Sequence, residues 1–103
     1  MAKKKIVEND SWSHKHDYPI TEIWNTGATI AALIVPRLRA FKSLDKHCYP
    51  PNMNGMTEWN GAIQKMIDDF ELLSTTRSYT DEEETIITEG LDLFHQFYRD
   101  LWD

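Results

Sequence analysis

Residues 20–44 read ITEIWNTGATIAALIVPRLRAFKSL, and this stretch decides the fold. Thr21 is a good helix N-cap, with Glu22 in the first turn. Apolar residues recur at Ile23, Gly27, Ile30, Ile34, Leu38 and Phe41, which is helical spacing. Trp24, Ala31, Leu33 and Val35 widen the stripe to about half the circumference. A helix this apolar is expected to be covered on more than one side. Pro36 removes one ladder bond and clashes with the carbonyl of Ala32. Because the apolar phase of Ile30 and Ile34 continues at Leu38 and Phe41, the sequence predicts a kink rather than a break. Arg37 then projects between Ile30, Ile34 and Phe41, inside the apolar arc. A buried arginine requires a carboxylate or another anion. Asp68 or Glu71 would serve internally, and a bound ligand is the functional alternative. Arg39 falls on the opposite side, where solvent is expected. Lys42 and Lys46 follow near the helix end, where cations suit the dipole.

The same logic extends outward. Residues 46–56 hold two prolines, two asparagines and a glycine, and read as a loop. A second helix is predicted to begin after Thr57 and run to about Leu73, with Trp59, Ile63, Met66, Ile67 and Phe70 on one face. Thr80 to Glu83 reads as a capping box for a third helix that runs to about Trp102. Its stripe is Ile87, Gly90, Leu91, Phe94, Phe97, Tyr98, Leu101 and Trp102. Residues 1–19 are polar and aperiodic and read as a flexible tail, leaving 20–103 as a single helical domain. The prediction is an all-α three-helix bundle with a Pro-kinked first helix. The stripes on helices 1 and 3 exceed what one short partner can cover, so a homo-oligomer or a partner protein is expected.

Charge is unevenly placed on this 103-residue chain of net charge -6. Residues 1–20 carry four lysines against three acids, and residues 21–56 four cations against two acids. Residues 57–103 carry twelve acids against three cations. An acidic chain disfavours duplex nucleic acid, since phosphate neutralisation needs a basic face. The local cluster Arg37, Arg39, Lys42 and Lys46 still suits a small anion. Trp12, Tyr18 and Tyr49 lie in the tail and loops, where they could stack on a base or anchor in a partner. The single Cys48 allows no internal disulfide, which fits a reducing cytoplasm. No secretory leader or membrane span is read.

Catalytic patterns are weak. His14, His16 and Asp17 have metal-ligand chemistry but no evident fourth ligand. Asp92 and His95 have i, i+3 spacing in one copy only, whereas di-iron bundles use it twice. Glu82, Glu83, Glu84, Glu89 and Asp92 partly match the acid motif of helical nucleotide pyrophosphohydrolases, but Ile86 or Ile87 stands where a glutamate is needed. A capped, acidic helix start accounts for these residues. His47 and Cys48 are adjacent, which is poor geometry for an activated thiolate. The chain therefore reads as non-enzymatic and without a cofactor.

Four pieces together resemble a group of small helical proteins encoded by tailed bacteriophages and prophages. They are Ile30-Ala31 through Pro36-Arg37-Leu38-Arg39-Ala40-Phe41-Lys42, then Tyr49-Pro50. Next come Glu58-Trp59 with Met66-Ile67-Asp68-Asp69-Phe70-Glu71, and last Gly90-Leu91-Asp92-Leu93-Phe94 with Leu101-Trp102-Asp103. The likeness spans roughly residues 18–103, and Asn25-Thr26-Gly27 departs from it. It implies a phage accessory protein in the host cytoplasm and carries over no catalytic residue. The leading expectation is a binding protein that interferes with a host factor, such as a defence system, through a protein or a small anionic nucleotide. The rivals are a phage assembly protein built on apolar helix faces, a nucleotide hydrolase, and a DNA mimic displaying Asp68, Asp69 and Asp81 to Glu84.

Overall fold

A computed structural model describes residues 12–13 and 18–102, with backbone alone for 12, 13 and 19–21. Three helices dominate: α1 over Thr26–Ser43, α2 over Met56–Thr75 and α3 over Asp81–Phe97. The predicted tail lies largely outside the described residues. Within it, Trp12–Ser13 and Tyr18–Pro19 form one antiparallel rung, with Trp12 opposite Pro19, which periodicity did not predict.

α1 begins later than its sequence signals. Ile20–Asn25 winds as a 3₁₀ helix first. Asn25 has φ -135° and ψ 41° and makes no side-chain cap. The Thr26 hydroxyl turns back to the Ile23 carbonyl at 2.6 Å, a local bond that competes with the α ladder. From Thr26 the helix runs unbroken through Pro36, as the continuous apolar phase requires. It ends at Leu44, whose extended backbone turns the chain away.

Gly55 starts α2 with φ 144° and ψ 176°, a conformation open almost only to glycine. The capping box of α3 is complete. The Glu83 N–H donates to the Thr80 hydroxyl at 3.1 Å, and the Thr80 N–H donates to Glu83 Oε1 at 2.9 Å. α3 gives way at Tyr98–Asp100 to a 3₁₀ turn, short of the predicted end near Trp102.

α2 is the middle element. It packs along both α1 and α3, while α1 and α3 barely touch each other. Its apolar face supplies most of the core, with Trp59, Ile63, Met66, Ile67 and Phe70 all buried as read. α1 contributes Ala31, Val35 and Leu38, and α3 contributes Ile87 and Phe97. Trp59 sits between Phe41 and Phe97, with ring centroids 6.4 and 5.6 Å away. Phe70 meets Phe94 edge-on at 4.9 Å. Such edge-to-face rings add to the stabilisation that burial alone provides.

Candidate functional site

Each of the four cations singled out from sequence has a polar partner within the chain. Arg37 is exposed, and its Nη1 donates to the Leu33 carbonyl one turn back, at 2.7 Å. The expectation of an arginine inside the buried arc is thus corrected. The apolar arc of α1 is wide, and α2 covers only the half centred on Ala31, Val35 and Leu38. That choice leaves Arg37 on the uncovered edge. Arg39, expected in solvent alone, reaches α2 and pairs with Glu71. Lys42 Nζ donates to Gln64 Oε1 at 2.8 Å, and Gln64 in turn donates to Asp68 at 2.9 Å. Lys46 is buried, and its ammonium donates to the carbonyls of Phe41, Lys42 and Leu44 at 3.0–3.2 Å. It also lies 5.3 Å from the centre of the Phe41 ring. Lys46 is a C-terminal cap of α1.

The expected stacking residues are described only in part. Tyr49 is exposed on the loop before α2, Tyr18 is half-buried near the start of the described chain, and the Trp12 side chain lies outside the described residues. His14, His16 and Asp17 lie outside them too. Asp92, His95 and Cys48 are exposed. Among the described residues no group of three or more His, Cys, Asp or Glu could hold a metal ion.

The conspicuous surface is apolar. Arg39 and Arg37 are two residues apart, so they lie on opposite edges of α1, and Glu89 and Leu91 do the same on α3. Arg39–Glu71 and Lys65–Glu89 close the outer edges of α1 and α3 against α2. Among the described residues the inner edges, beside Phe41 and Phe94, carry no such pairs. There α1 exposes Ile30 and Leu33 around Arg37, with Leu44 just beyond the helix end. α3 exposes Leu91, and the 3₁₀ turn that follows it exposes Tyr98, on the line that begins at Glu84. Leu33 is 57% exposed and Tyr98 62%. The floor between these edges is the Phe41, Trp59, Phe94 and Phe70 ring cluster. Apolar patches of this kind on one side of a small domain mark interaction surfaces. Sequence reasoning anticipated surplus apolar surface on helices 1 and 3 but not that both surpluses fall on one side.

A cleft of about 560 Å³ opens at the far end of the molecule, where the start of α1 meets the end of α2. Trp24, Gly27, Thr76, Arg77 and Tyr79 are among its walls. Trp24 is largely exposed, and the Tyr79 hydroxyl is tied to the Thr76 carbonyl at 2.7 Å. Arg77 was not singled out from sequence, because it stands alone in a polar loop.

One buried charge was missed altogether. Asp69 is fully buried on α2, and neither carboxylate oxygen has a hydrogen-bond partner. It lies where α2 crosses α3 at Gly90. A Cβ placed on Gly90 would stand 2.2 Å from the Asp69 Cβ. Burial without a compensating donor pushes the carboxyl up to about 7. Asp69 lies on the line Ala62, Met66, Asp69, Leu73, so helical spacing does carry the signal. The DNA-mimic expectation used Asp69 as a displayed charge, and its burial removes it from that set.

No protein-family model, curated protein or solved structure matches this chain.

Proposed function

We propose that the chain is a non-enzymatic binding protein that works through the apolar face spanning the inner edges of α1 and α3. A phage accessory or assembly role, taken from the resemblance of its sequence, agrees with that surface. The observation that carries this reading is the exposure of Ile30, Leu33, Leu91 and Tyr98 on one side of a domain whose other edges are closed by ion pairs. A bend at Pro36 would help α1 follow the contour of whatever it covers. A photo-reactive residue at position 33 or 98, introduced in cells that make the protein, tests it. Protein adducts at these positions, and none with the probe at Glu82, are expected. Equal labelling at all three overturns it.

A small-ligand version has one observation in its favour, the end cleft with Trp24, Tyr79 and the cationic Arg77. It moves the nucleotide expectation to Arg77 and away from Arg39, Lys42 and Lys46, which are engaged within the chain. Calorimetry against cyclic and linear nucleotides, with Arg77→Ala as the control, decides it. Absence of heat with every member removes this version.

A further inference from the structure

We propose that the occupant of the apolar face is a second copy of this chain, related by a two-fold axis that runs along α2 and lays each α1 across the partner's α3. This rests on reading that face as a protein-binding surface.

The choice of occupant comes from charge. α1 carries Arg37, Arg39 and Lys42 and no acid, whereas α3 carries six acids and neither Lys nor Arg. Each helix exposes apolar residues beside its charges, and within one chain the two barely touch. Each chain thus displays both halves of a complementary pair, which is the condition for an isologous contact. Two axes in the plane of the face bring two copies face to face. An axis across α2 sets α1 on α1 and α3 on α3, so the edge of α3 that displays Glu84 faces its own copy and the edge of α1 that displays Arg37 does the same. An axis along α2 sets each basic helix on an acidic one. Juxtaposed like charges are strongly unfavourable at a partly desolvated contact, so charge selects the second axis.

Register follows from contacts already made. Arg39–Glu71 and Lys42–Gln64 fix α1 against α2. Lys65–Glu89 and the Asp69–Gly90 crossing fix α3 against α2. Glu71 and Asp69 are neighbours on α2, so Arg37 stands about level with the first half of α3. An axis along α2 preserves level. Arg37 of one copy therefore meets the stretch from the partner's Glu84 to the partner's Leu91, while Leu33 packs one turn away. Arg37 is exposed within an apolar stripe, and its guanidinium retains donors beyond the one given to Leu33. Glu84 is exposed at the head of the facing stripe. An arginine among apolar neighbours opposite a carboxylate is how registers are set at helical contacts.

Light scattering on the full chain, from micromolar to submillimolar concentration, provides the test. A mass of twice 12.1 kDa is expected. Leu33→Asp and Leu91→Asp should each give a monomer with unchanged helical circular dichroism. Arg37→Glu or Glu84→Arg alone should weaken association about tenfold or more. The two together in one chain should restore it, because both contacts of the dimer are then reversed. Glu82→Arg, outside the face, should change nothing. In a Cys48→Ser background, chains with Arg37→Cys mixed with chains with Glu84→Cys should form a disulfide-linked pair, and Arg37→Cys chains alone should not. A wild-type monomer at every concentration, a doubly reversed chain no better than the single variants, or ready linkage of Arg37→Cys to itself overturns the proposal. The broader reading of the face falls separately, if labelling at 33 and 98 does not exceed labelling at 82.

Discussion

The two contacts that α2 makes differ in kind. Against α1 its polar contacts run to cations, Arg39 to Glu71 and Lys42 to Gln64. Against α3 it closes on a glycine and buries an unpaired carboxyl, Asp69. One contact places its polar groups at the rim, where solvent screens them. The other has a rim pair too, Lys65–Glu89, but also traps a carboxyl at its centre. The lesson is that the acid-rich half of the chain carries a penalty at its tightest point, and the basic half does not.

The largest test of this contrast is pH. The folded carboxyl of Asp69 titrates near 7 against an ordinary value of 3.8. Between those values the unfolded chain has lost the proton that the folded chain keeps, so stability falls as pH rises from about 4 to 7 and levels off above. The difference corresponds to a loss on the order of 4 kcal/mol. Asp69→Asn should flatten that profile and make the protein more stable than wild type at pH 8 in urea titration. Equal slopes for both proteins would break the comparison at its root. Next comes Gly90→Ala. Its new Cβ meets the Asp69 Cβ and not a flexible side-chain end, so the helices must separate, at about 2–3 kcal/mol. A melting temperature within about 3 °C of wild type would show that the crossing gives way easily.

On the α1 side the effects should shrink. Lys46→Ala removes donors to three carbonyls at the helix end, for about 1–2 kcal/mol, measured by chemical denaturation. Arg39→Ala breaks a pair whose side chains are about half exposed, and should cost less than about 1 kcal/mol. That small loss should shrink further in high salt, which would sharpen the contrast with the salt-insensitive core at Asp69.

Much of the architecture was legible in the sequence. The apolar periodicity of α2 gave its buried face residue by residue, and Thr80 with Glu83 marked the start of α3. The start of α1 misled because Thr21 and Glu22 are good signals, while Asn25 and Thr26 offer the backbone local alternatives that only the folded geometry decides. Arg37 misled for a different reason. A half-circumference of apolar residues does not say which part a single neighbouring helix will cover. Burial of Ala31 and Val35 turned the arginine outward. Asp69 shows the converse error, a charge read as surface although its spacing lay within the core line. Lys46, three residues past the helix, took a capping role that depends on the chain folding back. The apolar face itself required knowing that α1 and α3 lie on opposite sides of α2 with their surplus turned the same way.

That α1 and α3 meet only through α2 also bears on how the chain acquires its shape. Each contact joins consecutive helices, so the native pairings are near neighbours in sequence. Chains of that topology fold quickly, and their two hairpins need not form together. Either outer helix can detach while the other hairpin stays paired, as in a short repeat array. Amide hydrogen exchange should then rank the three helices, with the middle of α2 slowest and the two flanking helices opening at separate, independent free energies.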